Sequence, residues 1–138
     1  MVHALEQIHD LLKDRGFLID IHPSGEKVKF LCELNGQEQF IGYLEESDDY
    51  IEYRQADDAI QKAISKGLFK PVKAGAFEFF TYADSFGEMK AFLEEHWSDA
   101  VISEDVILRA GKMESEHGAY KTILREQVKI GLLKRVVR

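Results

Sequence analysis

The feature that most constrains the fold of this chain is the apolar run FLIDI at residues 17–21, which is interrupted only by Asp20. An amphipathic helix is predicted just before it, because apolar residues recur at helical spacing in Val2, Leu5, Ile8, Leu11 and Leu12. Gly16 is expected to cap that helix in the left-handed conformation. A strand with one exposed face alternates apolar and polar residues, whereas a strand of a parallel sheet is covered on both faces and is apolar throughout. Residues 17–21 are therefore predicted to lie inside a larger sheet, covered on both sides.

Turn signals predict the next elements. Asn35-Gly36 favours a type I′ turn, in which both central residues have positive φ, and so predicts a hairpin of strands 28–34 and 37–44. A short helix that ends at Gly67 is predicted from the apolar stripe Ala56, Ala59, Ile60, Ala63 and Ile64. The aromatic run FEFFTY predicts a strand at residues 77–82.

Two further helices begin at serine caps. Residues 85–88, SFGE, form a capping box at the start of a helix that extends to Trp97, and Ser103 is placed to cap a helix that ends at Gly118. The last residues predict two strands, 120–125 and 128–137, with hardly a turn between them. This order of elements predicts one α/β or α+β domain over residues 1–138, long enough to bury its own core.

The charge of the chain limits the partners that we expect. A net charge of −7 argues against nucleic acid as a partner. Acidic residues concentrate at 45–58, whereas the residues after Gly118 are rich in lysine and arginine. These are expected to be either two solvated segments or two segments that attract each other. No apolar run approaches the ~20 residues that span a bilayer, so no membrane partner is predicted.

Cysteine content and the first residues predict a cytoplasmic protein. Cys32 is the single cysteine, which excludes an internal disulfide and fits a reducing compartment. Its apolar surroundings at residues 28–34 favour a packed thiol over a nucleophile. Residues 1–7 have neither the basic nor the apolar region of a secretory signal.

Four segments of the chain share the order and pattern of a known family. They are ALEQIHDLLKDRGFLIDIHP at 4–23, ADDAIQKAISKGLF at 56–69, FEFFTYADSFGEMKAFLEEHWSDAVI at 77–102 and TILREQVKIGLLKRV at 122–136. Together they resemble the C-terminal half of class I S-adenosylmethionine-dependent methyltransferases. The resemblance implies a partial Rossmann-like sheet that ends in an antiparallel β-hairpin, with residues 28–82 as an inserted cover. Where the family commonly has a proline in the turn before its fifth strand, this chain has Asp14-Arg15-Gly16.

The half of that family that binds the cofactor has no counterpart in this sequence. In the family a glycine-rich turn after the first strand approaches S-adenosylmethionine, because glycine lets the backbone come close to the ligand. This chain contains no G-x-G, and only residues 1–3 precede its first helix. No cofactor is therefore expected in the isolated chain, and S-adenosylmethionine is expected only if a partner supplies the N-terminal half.

A family strand at 17–21 without its usual neighbour would leave unpaired backbone groups beside apolar side chains, which favours aggregation. Three arrangements would solve this problem. A second copy could cover the strand in a two-fold homodimer, which is our first expectation. A separate chain could supply the missing half, or the hairpin at 28–44 could fold back onto the exposed edge.

Asp20 and His22 are the first candidates for a substrate pocket. His22 follows the carboxyl end of the strand at 17–21, where open α/β sheets bind ligands. Asp20 lies on the same strand face, so this carboxylate and imidazole could perform acid–base chemistry. The alternative is that His22 bonds to the backbone in a turn while Asp20 pairs with a basic side chain.

A second candidate group lies further along the chain and consists of Tyr82, Asp84, His96 and Trp97. A helix cap at Asp84 and a core position for Trp97 are the simpler explanations for these two residues. Several aromatic side chains could also line a cavity, although strand alternation would instead divide them between the core and a second packed surface: Phe77, Phe79, Phe80, Tyr82 and Phe86.

Three hypotheses for function follow. The first is a domain that resembles half of a methyltransferase, has no catalytic activity alone, and works as a dimer or with a partner. The second is a subunit of a split methyltransferase that acts on a small molecule. The third is an independent α+β module that binds a small ligand. Whether the chain is an enzyme stays open, no catalytic residue is assigned, and no metal is predicted because the histidines lack ligand spacing.

Overall fold

Helices and strands are mixed along the chain, and the strands form an antiparallel sheet. The computed structural model describes residues 1–48 and 50–137, which contain four helices and six strands. In chain order these are α1 (Val2–Leu11), β1 (Phe17–Pro23), β2 (Val28–Leu34), β3 (Gln37–Glu46), α2 (Ile51–Ser65), β4 (Phe69–Ala83), α3 (Phe86–His96), β5 (Ala100–Val101), α4 (Glu104–His117) and β6 (Lys121–Arg135). The strand order is β1-β6-β2-β3-β5, and β4 also pairs with β6. The α+β class is confirmed.

The chain divides into two compact units, each built from separate segments. The first unit comprises Met1–Gly25, Ile51–Phe77 and Gln127–Arg138, and the second comprises Glu26–Tyr50 and Glu78–Glu126. The predicted cover at 28–82 has residues in both, and the single domain over 1–138 stays a prediction. Among the described residues, no helix combines the length and apolar character needed to cross a membrane.

The first unit has a core made by two helices and the strands beneath them. Its buried residues are Leu5, Ala59, Ile60, Ala63, Leu68, Phe69 and Leu133. α2 ends before Gly67, as expected, and Gly67 has a φ of 75° in the left-handed region. The expected cap at Gly16 is wrong, because α1 already ends at Leu11 and Gly16 is not left-handed. Gly16 instead avoids a clash, since a Cβ there would lie 2.9 Å from the carbonyl oxygen of Lys13.

β1 lies at the edge of the sheet and has one exposed face. The prediction that residues 17–21 lie inside a larger sheet, covered on both faces, is therefore wrong. The strand pairs antiparallel with β6 and with no other strand in the described part of the chain. Leu18 packs against the core of the first unit, whereas Phe17, Ile19 and Ile21 are 51%, 61% and 57% exposed. The helices pack on one face only. The continuous apolar run therefore belongs to an edge strand with an exposed apolar face, not to a central parallel strand.

The expected terminal hairpin is also wrong, because β6 is a single strand of 15 residues. Its first part pairs with β2, where Thr122 lies opposite Cys32, and its second part pairs with β1, where Leu132 lies opposite Ile19. No turn separates the two parts, because residues 126–127 belong to the same strand. The hairpin at 28–44 consequently pairs with β6 rather than folding back onto β1.

The second unit confirms the predicted local signals. Asn35 and Gly36 have φ of 54° and 77° and join β2 to β3, as a type I′ turn requires. The hydroxyl of Ser85 accepts a hydrogen bond from the backbone N–H of Glu88 at 3.1 Å, so Ser85 caps α3 as predicted, while the Glu88 carboxylate accepts from the N–H of Asp84 rather than from that of Ser85. Ser103 caps α4 in the same way. Turn and cap chemistry acts over a few residues and needs no tertiary contact, which is why the sequence predicts it well.

Cys32 is a packed thiol, as predicted. It is fully buried in β2, and its Sγ lies 3.7 Å from the Sδ of Met113 in α4. On the same side of the hairpin the ring of Phe30 lies 5.9 Å from the ring of Phe86. Gly42 of β3 comes so close to α4 that a Cβ there would meet Val106 at 2.6 Å. These contacts pack α3 and α4 against the hairpin.

The aromatic strand is longer and more exposed than predicted. It forms part of β4, and three of its side chains, Phe77, Phe79 and Tyr82, are 41%, 53% and 57% exposed. The expected division of these rings between the core and a second packed surface is therefore wrong. Of the aromatic set, Phe86 packs against the buried ring of Phe30, and Phe80 is half-buried.

Candidate functional site

A cleft of about 530 Å³ lies in the first unit between α2 and three strands. β1 contributes Asp20 and His22, and α2 contributes Asp57 with two isoleucines, Ile60 and Ile64. The segments 71–76 of β4 and 129–133 of β6 complete the lining. Pockets for small molecules usually enclose ~300–1,000 Å³ and combine apolar walls with a few polar groups, and this cleft has both properties.

Asp20 and His22 are brought together in the lining of the cleft. His22 belongs to β1 itself, which extends to Pro23, and is not a turn residue beyond the strand. Because strand residues two apart share a face, the Nδ1 of His22 lies 2.7 Å from a carboxylate oxygen of Asp20. A carboxylate can only accept, so Nδ1 carries the proton and donates it. The partner of Asp20 is thus His22, not one of the lysines or arginines.

The second nitrogen of His22 has no hydrogen-bond partner in the described structure. Its Nε2 is buried and lies 3.6 Å from a carboxylate oxygen of Asp57, which is longer than a hydrogen bond. The side chain of His22 is only 12% exposed. In the neutral imidazole with a proton on Nδ1, Nε2 is an acceptor and faces another acceptor. A donor placed between His22 and Asp57 would satisfy both groups.

Two lysines set the electrostatics of the cleft. Lys129 lies opposite His22 in the β1–β6 register, and its Nζ is 3.3 Å from the Asp57 carboxylate. This ion pair joins the acidic segment at 45–58 to the basic last strand. Attraction between these two segments was one of the two alternatives expected from the sequence. Lys73 is exposed on the β4 side and makes no ion pair among the described residues. Its ammonium group is therefore available to a ligand at the cleft.

The chemistry available in the cleft is recognition and proton exchange. The Asp20–His22 pair can accept a proton at Nε2. The lining residues include no serine, threonine, cysteine or tyrosine, so no hydroxyl or thiol nucleophile is in place. Asp20 and Asp57 contact different nitrogens of the same ring, so the three groups do not converge on one point where a metal ion could sit.

The second candidate group is not brought together at one site. Tyr82 is exposed on β4, and the Nζ of Lys121 lies 5.5 Å from the centre of its ring. Asp84 is an exposed residue before α3, where its backbone N–H donates to Glu88 at 3.1 Å. Asp84 therefore belongs to the start of the helix, next to the cap residue.

His96 and Trp97 lie at the other end of α3. The ring of His96 is 56% exposed and lies 4.8 Å from the ring of Phe92. Trp97 lines a groove of about 320 Å³ together with Leu93 and Ile107, and none of Tyr82, Asp84 and His96 lines that groove. As site residues these four stay predictions without a shared cleft.

The sequence analysis missed four polar residues that line the cleft: Asp57, Gln61, Lys73 and Lys129. A signal for Asp57 was present, because Asp57, Ile60 and Ile64 are spaced i, i+3, i+7 and so lie on one face of α2. Lys129 could not have been found without the β1–β6 register, which joins residues more than 100 positions apart.

Comparison with known proteins adds no assignment to this geometry. The likeness to class I methyltransferases, and with it any role of S-adenosylmethionine, stays a prediction from the sequence. No protein-family model matches the chain, and neither curated proteins nor solved structures yield a match to it.

Proposed function

We propose that the first unit is a binding module for a small amphipathic ligand, which occupies the cleft at His22. The observation that carries this proposal is the buried Nε2 of His22, which lines the cleft beside apolar walls and has no hydrogen-bond partner among the described residues. An unsatisfied buried polar atom costs about 1–3 kcal/mol, and a ligand that pairs with it recovers that free energy.

The polar groups of the cleft define the chemistry of the ligand. Its head must contain an O–H or N–H donor, because the free nitrogen of His22 and the Asp57 carboxylate both accept. Its body must be apolar to pack against Ile60 and Ile64. On the exposed side of the cleft, the positive charge of Lys73 can pair with an anionic substituent of the ligand. A phenol or a branched aliphatic alcohol is the simplest molecule with these features.

Binding is favoured over catalysis by the residues that line the cleft. The Asp20–His22 pair can move a proton, but the lining has no nucleophile for it to activate. The hypotheses of a methyltransferase half or a split methyltransferase subunit have no comparable support. β1, the strand on which the resemblance depends most, lies antiparallel at the sheet edge.

The test is a titration of the chain with p-cresol, and with toluene as a matched probe that lacks the hydroxyl. Imidazole ¹⁵N spectra report on the nitrogens of His22. We expect p-cresol to shift the His22 Nε2 resonance and to bind about five- to tenfold more tightly than toluene, which corresponds to one hydrogen bond. His22→Ala should remove this preference and leave the apolar contribution.

His3→Ala is the control variant, because His3 belongs to the same unit and its side chain is 82% exposed. It should bind p-cresol as the unaltered chain does. Equal affinities for p-cresol and toluene, or an unchanged preference in His22→Ala, would show that His22 does not recognise a ligand donor.

A further inference from the structure

The second unit contains a separate shallow cleft of about 360 Å³ on its sheet. Three neighbouring strands line it with a mixture of aromatic and charged side chains, namely Lys29, Leu31, Glu38, Phe40, Tyr43 and Arg125. The ligand that these groups can bind differs in chemistry from the one proposed for the cleft at His22.

Two aromatic rings form one wall of this cleft. Phe40 and Tyr43 of β3 are 51% and 43% exposed. Their ring centres are 5.1 Å apart, and the rings meet edge to face. This arrangement leaves ring surface in contact with solvent, where the flat face of a ligand could stack and remove apolar area from water. The pair is therefore a surface on which a planar ligand can stack.

Lys29 supplies a positive charge beside the rings. In the strand register Lys29 lies opposite Tyr43 on one side and opposite Arg125 on the other. It is exposed and forms no ion pair with any described residue. An anionic group bound next to the rings would therefore meet a cation that has no carboxylate partner.

Arg125 forms the other wall and is already neutralised. Its guanidinium pairs with Glu38 and lies 3.4 Å from a carboxylate oxygen of Glu78. It also lies 5.4 Å from the ring centre of Phe80, at cation–π distance. Because the charge of Arg125 is shared with two carboxylates, Lys29 is the cation of the cleft that remains available to an anion.

We propose that this cleft binds a small planar aromatic anion. Its ring stacks on Phe40 and Tyr43, and its anionic group pairs with Lys29. A mononucleotide has this chemistry, and so does one unit of a nucleic acid strand. The cleft fits the free molecule better, because the chain has a net charge of −7 and the cleft offers one lysine without an ion pair, which is too little positive charge to bind a long polyanion.

The test separates the ring from the anion with three probes: AMP, adenosine and ribose 5-phosphate. Affinities are measured by calorimetry at one fixed, low salt concentration. AMP should bind at least about tenfold more tightly than adenosine or ribose 5-phosphate. Phe40→Leu should weaken AMP and adenosine by about tenfold, since it removes stacking, and leave ribose 5-phosphate unchanged. Lys29→Gln should weaken AMP and ribose 5-phosphate but leave adenosine unchanged.

Lys112→Gln is the control, because it removes one exposed lysine from α4 in the same unit. It changes the net charge as Lys29→Gln does and should bind AMP normally. The proposal is overturned if AMP binds no more tightly than ribose 5-phosphate, or if neither cleft variant weakens AMP. A single-stranded oligothymidylate that binds more tightly per site than any nucleotide would overturn the choice of a free ligand.

Discussion

The imidazole of His9 donates from Nε2 to the backbone carbonyl of Val136, 2.8 Å away, and so connects α1 to the residue that follows β6. His9 is 3% exposed, and its ring meets the ring of Phe69 edge to face at 5.7 Å. From the sequence, His9 was considered only as a metal ligand. His9 is instead a core residue whose polar atom is satisfied by the backbone across 127 positions of the chain.

Replacing His9 should destabilise the first unit. In His9→Leu the carbonyl of Val136 loses its donor, and we expect the free energy of unfolding to fall by about 1–3 kcal/mol in urea denaturation. His3→Leu, at an exposed position of the same helix, should change it by less than about 0.5 kcal/mol. Equal effects of the two variants would contradict the role assigned to the His9 hydrogen bond.

The buried tyrosines of the second unit give a second prediction. The hydroxyl of Tyr50 donates to the carbonyl of Leu44 and accepts from the N–H of Val28, and the hydroxyl of Tyr120 donates to the carbonyl of Ala110 at 2.9 Å. Tyr50→Phe and Tyr120→Phe should each lower the free energy of unfolding by about 1–2 kcal/mol. Tyr82→Phe is the matched control and should be neutral, because that side chain is 57% exposed. A cost for Tyr82→Phe equal to the other two would contradict this assignment.

The same two tyrosines predict a loss of stability in alkali. Burial raises the pKa of Tyr50 to about 12, and it also raises the pKa of Tyr120 to about 12, from an ordinary value of 10.0. Between pH 10 and 12 the folded state therefore holds more protons than the unfolded state, so the free energy of unfolding falls as the pH rises through this window. Urea denaturation from pH 8 to 12 should show this fall. Each Tyr→Phe variant should make it shallower, and a variant with the slope of the unaltered chain would contradict the assignment.

Glu126 should oppose folding at neutral pH. Burial raises its pKa above the ordinary 4.5, so the folded state favours the protonated carboxyl. Stability from this group is fully present below pH 4.5 and is lost as the pH rises through the folded pKa. Glu126→Gln should therefore stabilise the chain at pH 7 and have little effect at pH 4. Thermal unfolding at the two pH values checks this, and an equal effect at both would exclude a role for ionisation.

The exposure of one face of β1 can be tested with two side-chain truncations. Ile19→Ala should cost less than about 0.5 kcal/mol, because the side chain is 61% exposed. Leu133→Ala, in the adjacent strand and 4% exposed, should cost about 2–4 kcal/mol. If residues 17–21 were inside a sheet, Ile19→Ala would be as costly as Leu133→Ala in urea denaturation.

Two glycines with open space around them should respond in opposite directions to alanine. Gly111 lies inside α4, and no atom lies within 4 Å of an added Cβ, so Gly111→Ala should stabilise by about 0.5–1 kcal/mol. Gly36 has the same open space but a φ of 77°, so Gly36→Ala should destabilise by about 1 kcal/mol or more. Changes of the same sign would show that backbone conformation does not decide these two sites.

Local signals were predicted from the sequence more accurately than long-range ones. The turn at Asn35-Gly36 and the caps at Ser85 and Ser103 were predicted because each depends on residues a few positions apart. The burial of residues 17–21 was not predictable from the run itself, because an apolar strand looks the same whether one face or both are covered. The helices of the first unit pack on one face only, and that is a property of tertiary structure.

Only some of the residues that line the cleft at His22 could be predicted from the sequence. Asp20 and His22 were paired from strand alternation, which needs only the sequence of β1. Asp57 belongs to a helix stripe that the sequence displays, but its distance from His22 depends on how α2 packs. Lys129 depends on a register that joins strands at opposite ends of the chain. Ligand clefts made by distant segments are for this reason visible only in part from sequence.

The dual pairing of β6 has a consequence for biosynthesis. Residues 121–125 pair with β2 in the second unit, and residues 128–134 pair with β1 in the first. Neither pairing can form until β6 has been synthesised, so β1 and β2 both lack this partner while the preceding residues are being made. Until then β1 is an apolar strand with neither edge paired. We expect chaperones to bind it at this stage of synthesis.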